Sequence, residues 1–449
     1  MSTFLRGAWL TLVTRVTSMA LGIASSVIVA RALGPEGKGE YALVVLIAVL
    51  LQTAGSMGLD QAASYQVARG KEHARKLAAT LALASGALGI ALCGLHWVLT
   101  QIPWYIHYLA TAGVEPALVW IVVALLPATL AGQSLTASLL GLERYGVYNA
   151  ASLTTPLTGF LLLVVFVLGM DLGVAGAVGA VAGASVVTLL VALSLVMRSA
   201  PPAPTGSRSP GLGEAFSFGW RAHIANLAWF LHYRLDMFLV GYMVGPVGLG
   251  FYSTAVGLAE KLYMVPSVIG TLVFPRVAAD SREREGAGGD PGSITPRAAR
   301  QSLWLTLTMS MVLAAVAYPL IWALYGWEFL PSVIPLWILL PGVVSLSLGR
   351  VLSADLNGRG KPGVVARMNG GMAVLNLALN LWWIPLWGIE GAALATSVSY
   401  TAAVILLGFA YRKESGESWG SILAFGGSDL DDLFRALRAL RKDQEEESP

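Results

Sequence analysis

Apolar positions gather along this chain in long blocks separated by short polar breaks. A helix crossing the hydrocarbon core of a bilayer needs about 20 apolar residues. Blocks of that length fall near 7–32, 41–62, 77–99, 117–140, 147–169 and 173–197. After a Pro/Ser-rich break, six more follow near 215–243, 253–275, 302–325, 332–355, 364–386 and 389–411. The pattern predicts an all-α integral membrane protein of about twelve transmembrane helices.

Composition supports the same reading. Hydrophobic residues make up 56% of the 449 positions and charged residues only 12%, where a soluble domain carries about 25% charge. Most side chains therefore never meet water. The single cysteine, Cys93, excludes an intrachain disulfide. The five histidines form no HExxH and have no CxxC companion, so neither metal nor cofactor is expected. The first apolar run has no small-residue cleavage site and reads as a span, not a signal peptide.

The basic residues test the span count. With the N-terminus inside, 22 of the 29 Lys and Arg fall in cytoplasmic segments, among them Arg69, Lys71, Arg75 and Lys76. The outside loops hold only Arg31 and Lys38. This one-sidedness is the positive-inside pattern and places both termini in the cytoplasm. The outside loops are short, the longest running from about Thr100 to Pro116, which leaves no room for an external catalytic domain. No GxxxxGK[ST] motif is present, so transport driven by ATP bound to this chain is not expected.

The two halves repeat one another. Gly34-Pro35-x-Gly37-x-Gly39-x-Tyr41 recurs as Gly245-Pro246-x-Gly248-x-Gly250-x-Tyr252, and Gly173-Val-x-Gly176-Ala177 recurs as Gly388-Ile-x-Gly391-Ala392. Each motif falls where a tight outside turn is needed and glycine supplies a positive φ. Each half has an even number of spans, so the halves are parallel repeats about a pseudo-twofold axis along the membrane normal. The expected organisation is a six-helix lobe at 1–197, a cytoplasmic linker at 198–213, a second six-helix lobe at 214–413 and a cytoplasmic tail at 414–449.

The stretch Val29-Ala-Arg-Ala-Leu-Gly-Pro-Glu-Gly-Lys-Gly-Glu-Tyr-Ala-Leu43 resembles the signature after the first helix of polysaccharide transporters. These belong to the multidrug/oligosaccharidyl-lipid/polysaccharide exporter superfamily. Arg234-Leu-Asp236-x-x-Leu-Val-Gly241 and Gly388-Ile-x-Gly-Ala-Ala-Leu-Ala-Thr396 are similar to that family as well. The resemblance covers residues 1–413 and implies a flippase, not an enzyme, in the bacterial cytoplasmic (inner) membrane. Its substrate would be an undecaprenyl-pyrophosphate-linked oligosaccharide for O-antigen, capsule or exopolysaccharide. It would work among membrane lipids beside a polysaccharide polymerase and glycosyltransferases, with no nucleic-acid partner. An ion-coupled drug antiporter of the same superfamily, a lipid II flippase and a membrane polymerase or ligase are the competing readings. A lipid II flippase usually carries fourteen helices, and a polymerase or ligase needs an extended outside loop.

Charges inside spans are the sharpest local signal, since each costs at least ~2.5–3.5 kcal/mol at a helix centre. Arg15, Arg221, Arg234, Lys261 and Arg350 are the basic set and candidate contacts to a pyrophosphate. Asp236, Glu260 and Asp60 are the acidic set and candidate ion-coupling groups. Arg15 lies ~12 Å from the inner end of its span at 1.5 Å per residue, beyond easy snorkelling. Arg221 and Arg350 lie in the inner third and Arg234 near the outer end, where snorkelling competes with a cavity role. Asn226, Asn376 and Asn380 read first as interhelical hydrogen bonders. Pro127, Pro156, Pro266 and Pro319 are candidate bending points.

In the tail, Leu430, Leu433, Phe434, Leu437 and Leu440 share one face of an amphipathic helix. Its basic residues suit the inner leaflet. The topology is testable by single-cysteine labelling in a Cys93→Ser background. Probes at 34–41 and 245–252 should react from outside, and probes at 69–76 only after permeabilisation. Outside labelling at 69–76 would overturn the span count.

Overall fold

The computed structural model describes residues 3–201, 212–263 and 294–424, and all regular structure among them is helical. The first stretch holds α1 (Thr3–Ser56), α2 (Leu59–Arg69), α3 (Ala74–Leu99) and α4 (Pro103–Thr111). It continues with α5 (Pro116–Val123), α6 (Leu126–Gly141), α7 (Tyr145–Leu163) and α8 (Gly173–Ser199). Then come α9 (Leu212–Met243), α10 (Pro246–Ala259), α11 (Ile294–Tyr325), α12 (Val333–Gly358), α13 (Pro362–Ser415) and α14 (Trp419–Leu423). The amphipathic tail segment at 430–442, Pro266 and most of the linker lie outside the described residues.

Among the described residues, eight helical stretches are long and apolar enough to cross a membrane. Two of them are double length, 47 residues at Leu10–Ser56 and 54 at Pro362–Ser415. A straight helix of 47 residues would run about 70 Å, more than twice the ~30 Å hydrocarbon core. Both are bent at one residue, Gly34 (φ 67°) and Gly388 (φ 59°), so each supplies two of the predicted spans. Of the remaining two predicted spans, the seventh is α9, which carries more charge than the other spans, and the eighth begins in α10 and continues outside the described residues.

The repeat motifs form very tight helix-to-helix turns, with the positive-φ glycines expected of them. Gly34, Gly173, Gly245 and Gly388 all have positive φ. The helix then resumes at once, at Pro35 and at Pro246, about six residues before the predicted starts of the second and eighth spans. Proline's fixed φ suits the first helical turn, which explains the early restart. Arg31 and Lys38, expected in an outside loop, sit on this bent helix. Arg31 donates to the carbonyls of Leu324 (2.7 Å) and Ala323 (2.5 Å), satisfying the end of α11. Lys38 is buried; its amine donates to the Ser26 hydroxyl at 2.7 Å and lies 5.0 Å from the Tyr325 ring centroid.

The second predicted span also ends earlier than expected. The α1 helix stops at Ser56, and Met57 (φ 47°) and Gly58 (φ 70°) redirect the chain into α2. Gly58 and Gly219 of α9 touch backbone to backbone there, and a Cβ on either would collide with the other.

Residues up to Thr254, with Ile321–Ser332 and Ile384–Ile389, form one compact unit, and the remaining residues form a second. The core of the first packs Leu77, Leu135, Leu139 and Val196 from α3, α6 and α8. Small residues bring its helices close, as where Gly89 lies against the Pro127 backbone. Pro127 itself marks the break between α5 and α6 in the fourth span, while Pro156 and Pro319 lie inside helices. The core of the second unit packs Val351, Leu352, Leu356, Tyr411 and Ile422.

Within the first unit the two Gly-Pro motifs interlock. A Cβ on Gly39 would overlap the carbonyl oxygen of Pro246, and a Cβ on Gly250 would overlap that of Pro35. Gly39 and Gly250 are equivalent repeat positions, as are Pro35 and Pro246, so the contact is reciprocal. The obstacle in each case is backbone and cannot rotate away. Gly39→Ala and Gly250→Ala should each destabilise the protein by about 1–3 kcal/mol, read as a lowered Tm in detergent. Gly257→Ala, where nothing lies within 4 Å, is the control and should leave Tm unchanged or raise it.

Candidate functional site

A cavity of about 320 Å³ lies within the first unit. Its walls come from both arms of α1 and from α6, α7 and α8. Its polar lining includes Ser25, Tyr41, Gln52, Gln133, Thr155 and Thr188. Among the described residues, no Asp, Glu, Lys or Arg lines it. Thr155 and Thr188 bond one another at 2.8 Å, closing the seam between α7 and α8. The side chains of Gln52 and Gln133 have no hydrogen-bond partner among the described residues.

The corresponding places in the second repeat carry different chemistry. Tyr252, the counterpart of Tyr41, is fully buried and donates to the Asp236 carboxylate at 2.5 Å. Asp236 also accepts from the backbone N–H of Met237 at 2.8 Å. By the same spacing Asp236 corresponds to Ser25 of the cavity, so one repeat holds a carboxylate where the other holds a neutral hydroxyl. Later in the second unit, Asn376 donates to Ser399 (3.0 Å) and Thr396 (3.4 Å), and Asn380 donates to the Asn376 side chain (3.0 Å). These amides bond across the bend in α13, the role expected of mid-span amides.

The predicted charged residues are spread over both units. Arg15 on α1 is exposed, and Arg234 on α9 is half-buried with its guanidinium 3.8 Å from the Met237 sulfur. Arg221 lies on α9, with its side chain outside the described set. Asp60 lies in the first turn of α2, where an acid suits the helix dipole, and its Oδ1 is buried without a hydrogen-bond partner. In the second unit Glu260 and Lys261 occupy a 3₁₀ turn, Glu260–Tyr263, that ends α10 and packs against α12, the helix bearing Arg350. Arg15, Lys261 and Arg350 make no ion pair or hydrogen bond among the described residues.

Reasoning from charge alone overlooked the cavity. Its polar residues are uncharged and scattered over five spans, which gives no linear motif. The available signal was the repeat itself, since sliding the second half onto the first sets Ser25 against Asp236 and Tyr41 against Tyr252.

Comparison with known proteins fits this architecture. The chain is 23% identical over 407 residues to a Shigella flexneri protein assigned as an O-antigen transporter, covering 88% of this chain and 94% of that one. It is 25% identical over 225 residues to a Haloferax volcanii protein assigned as a flippase of low-salt glycan biosynthesis, covering 49% and 46%. Among solved structures, it shares the fold of an inward-facing multidrug resistance transporter of the MATE family. That match has a TM-score of 0.71 and 16% identity, over 89% and 94% of the two chains. It also shares the fold of the lipid II flippase MurJ in an inward closed conformation, with TM-score 0.68 and 14% identity over 95% of each chain. The model of the family described as "Polysaccharide biosynthesis protein" matches residues 4–279. With that match over more than half its length, this multi-pass helical membrane protein belongs to the polysaccharide biosynthesis protein family.

Proposed function

We propose that the protein flips an undecaprenyl-pyrophosphate-linked oligosaccharide from the cytoplasmic to the outer leaflet of the bacterial inner membrane. Two six-helix lobes alternate access to it, driven by an ion gradient or the membrane potential. The observation that carries this reading is the set of three cations within predicted spans, Arg15, Lys261 and Arg350, that have no partner among the described residues. A cation at membrane depth is expensive and is ordinarily offset by a neighbouring anion. A pyrophosphate supplies that anion during transport and accepts both a guanidinium fork and a compact ammonium. Arg221 and Arg234 on α9 extend the basic set. The Shigella and Haloferax relatives support the same substrate class. The polymerase and glycosyltransferases of the pathway would act on either side of this step.

Arg15→Ala and Lys261→Ala should each lower flipping at least about ten-fold, read as accumulation of the lipid-linked intermediate on the cytoplasmic side at normal protein levels. Arg15→Lys should be partial, because the charge survives while the bidentate fork is lost. Wild-type translocation in both alanine variants would sink the proposal.

For ion coupling, Asp60, Asp236 and Glu260 are the acidic candidates, and Asp60 has a buried oxygen with no hydrogen bond. Asn or Gln at each should alter the pH or sodium dependence of flipping in at least one case. An unchanged dependence in all three removes them from the coupling step.

A further inference from the structure

We infer that the cavity of the first unit is a sugar site, which takes one uncharged, hydroxyl-bearing ring of the glycan through the amides of Gln52 and Gln133. This rests on the flippase reading and adds to it where the glycan is held.

The lining dictates the chemistry of the occupant. At membrane depth a polar group without a partner costs free energy, because no bulk water is available to satisfy it. Here the amides of Gln52 and Gln133 have no hydrogen-bond partner among the described residues, and Ser25 and Tyr41 line the same space. An amide offers donors and an acceptor together, so its complement is a group that does both. A sugar hydroxyl is such a group. A phosphate would find no cation in this cavity, and a cationic drug would find no carboxylate. The Tyr41 and Phe160 rings add apolar faces suited to the C–H surface of a pyranose. A volume of about 320 Å³ suits one ring and not a whole repeat unit, at the lower end of small-molecule pockets, roughly 300–1,000 Å³.

The second unit shows that the opening is not a by-product of the repeat. Thr396 and Ser399 stand at the positions equivalent to Val181 and Ala184 of the cavity wall. Both are almost fully buried and engage Asn376, so that seam is filled. In the first unit the wall is apolar and small, and the polar groups face an opening.

The test uses the purified full-length protein in detergent. Its probes are farnesyl pyrophosphate and the same lipid carrying a single glucose, galactose or N-acetylglucosamine. Wild type should bind at least one glycosylated probe about ten-fold more tightly than the bare lipid, the worth of one or two neutral hydrogen bonds. Gln52→Leu/Gln133→Leu should remove that advantage while leaving affinity for the bare lipid unchanged. Ala184→Leu, which fills the cavity from an apolar wall, should do the same without touching a polar group. Equal wild-type affinity for the bare and all glycosylated probes would overturn the sugar site and leave the pyrophosphate reading standing. Binding of no probe would overturn both. A sugar advantage that survives in either variant at wild-type Tm would place the sugar elsewhere and overturn the assignment.

Discussion

A chain inside hydrocarbon has no water to satisfy its backbone, so it must remain helical through every crossing. Changes of direction are then confined to very short breaks. Four repeat positions accept that burden, Gly34, Gly173, Gly245 and Gly388, each with a positive φ that a side chain would resist. Because the bend costs one residue, the helix can restart at the next, and at Pro35 and Pro246 it does. The remaining motif glycines serve a different end. Gly39 and Gly250 lack a Cβ where two backbones meet, which allows the repeat motifs to interlock reciprocally.

The repeat supplies two copies of the same motifs, and the copies differ in the chemistry placed around them. The Asp236–Tyr252 pair of the second repeat is replaced in the first by Ser25 and Tyr41, neutral and beside a cavity. The seam that Asn376 knits with Thr396 and Ser399 is opened in the first unit by Val181 and Ala184. A buried polar network of this kind knits the second unit, while in the first the amides of Gln52 and Gln133 have no hydrogen-bond partner among the described residues. Cations outside the cavity complete the division. A substrate that is anionic at one end and hydroxyl-rich at the other would meet matching chemistry at separate places.

Much of this was legible in the linear chain. Apolar block length alone required a polytopic helical protein, because about 20 residues per crossing is a property of the bilayer. The recurrence of Gly-Pro-x-Gly-x-Gly-x-Tyr identified the repeats, and a repeat survives in sequence wherever backbone geometry demands glycine. The intramembrane charges stood out for the same reason: their cost makes them rare. Tertiary structure decided the rest. The role of each motif glycine depends on what lies across from it, and Pro246 is more than 200 residues from Gly39. Lys38 reads as a loop residue until Ser26 and Tyr325 are seen around it. The cavity is invisible along the chain because it is a space between helices, and a glutamine facing that space has the same letter and hydropathy as one facing a neighbour.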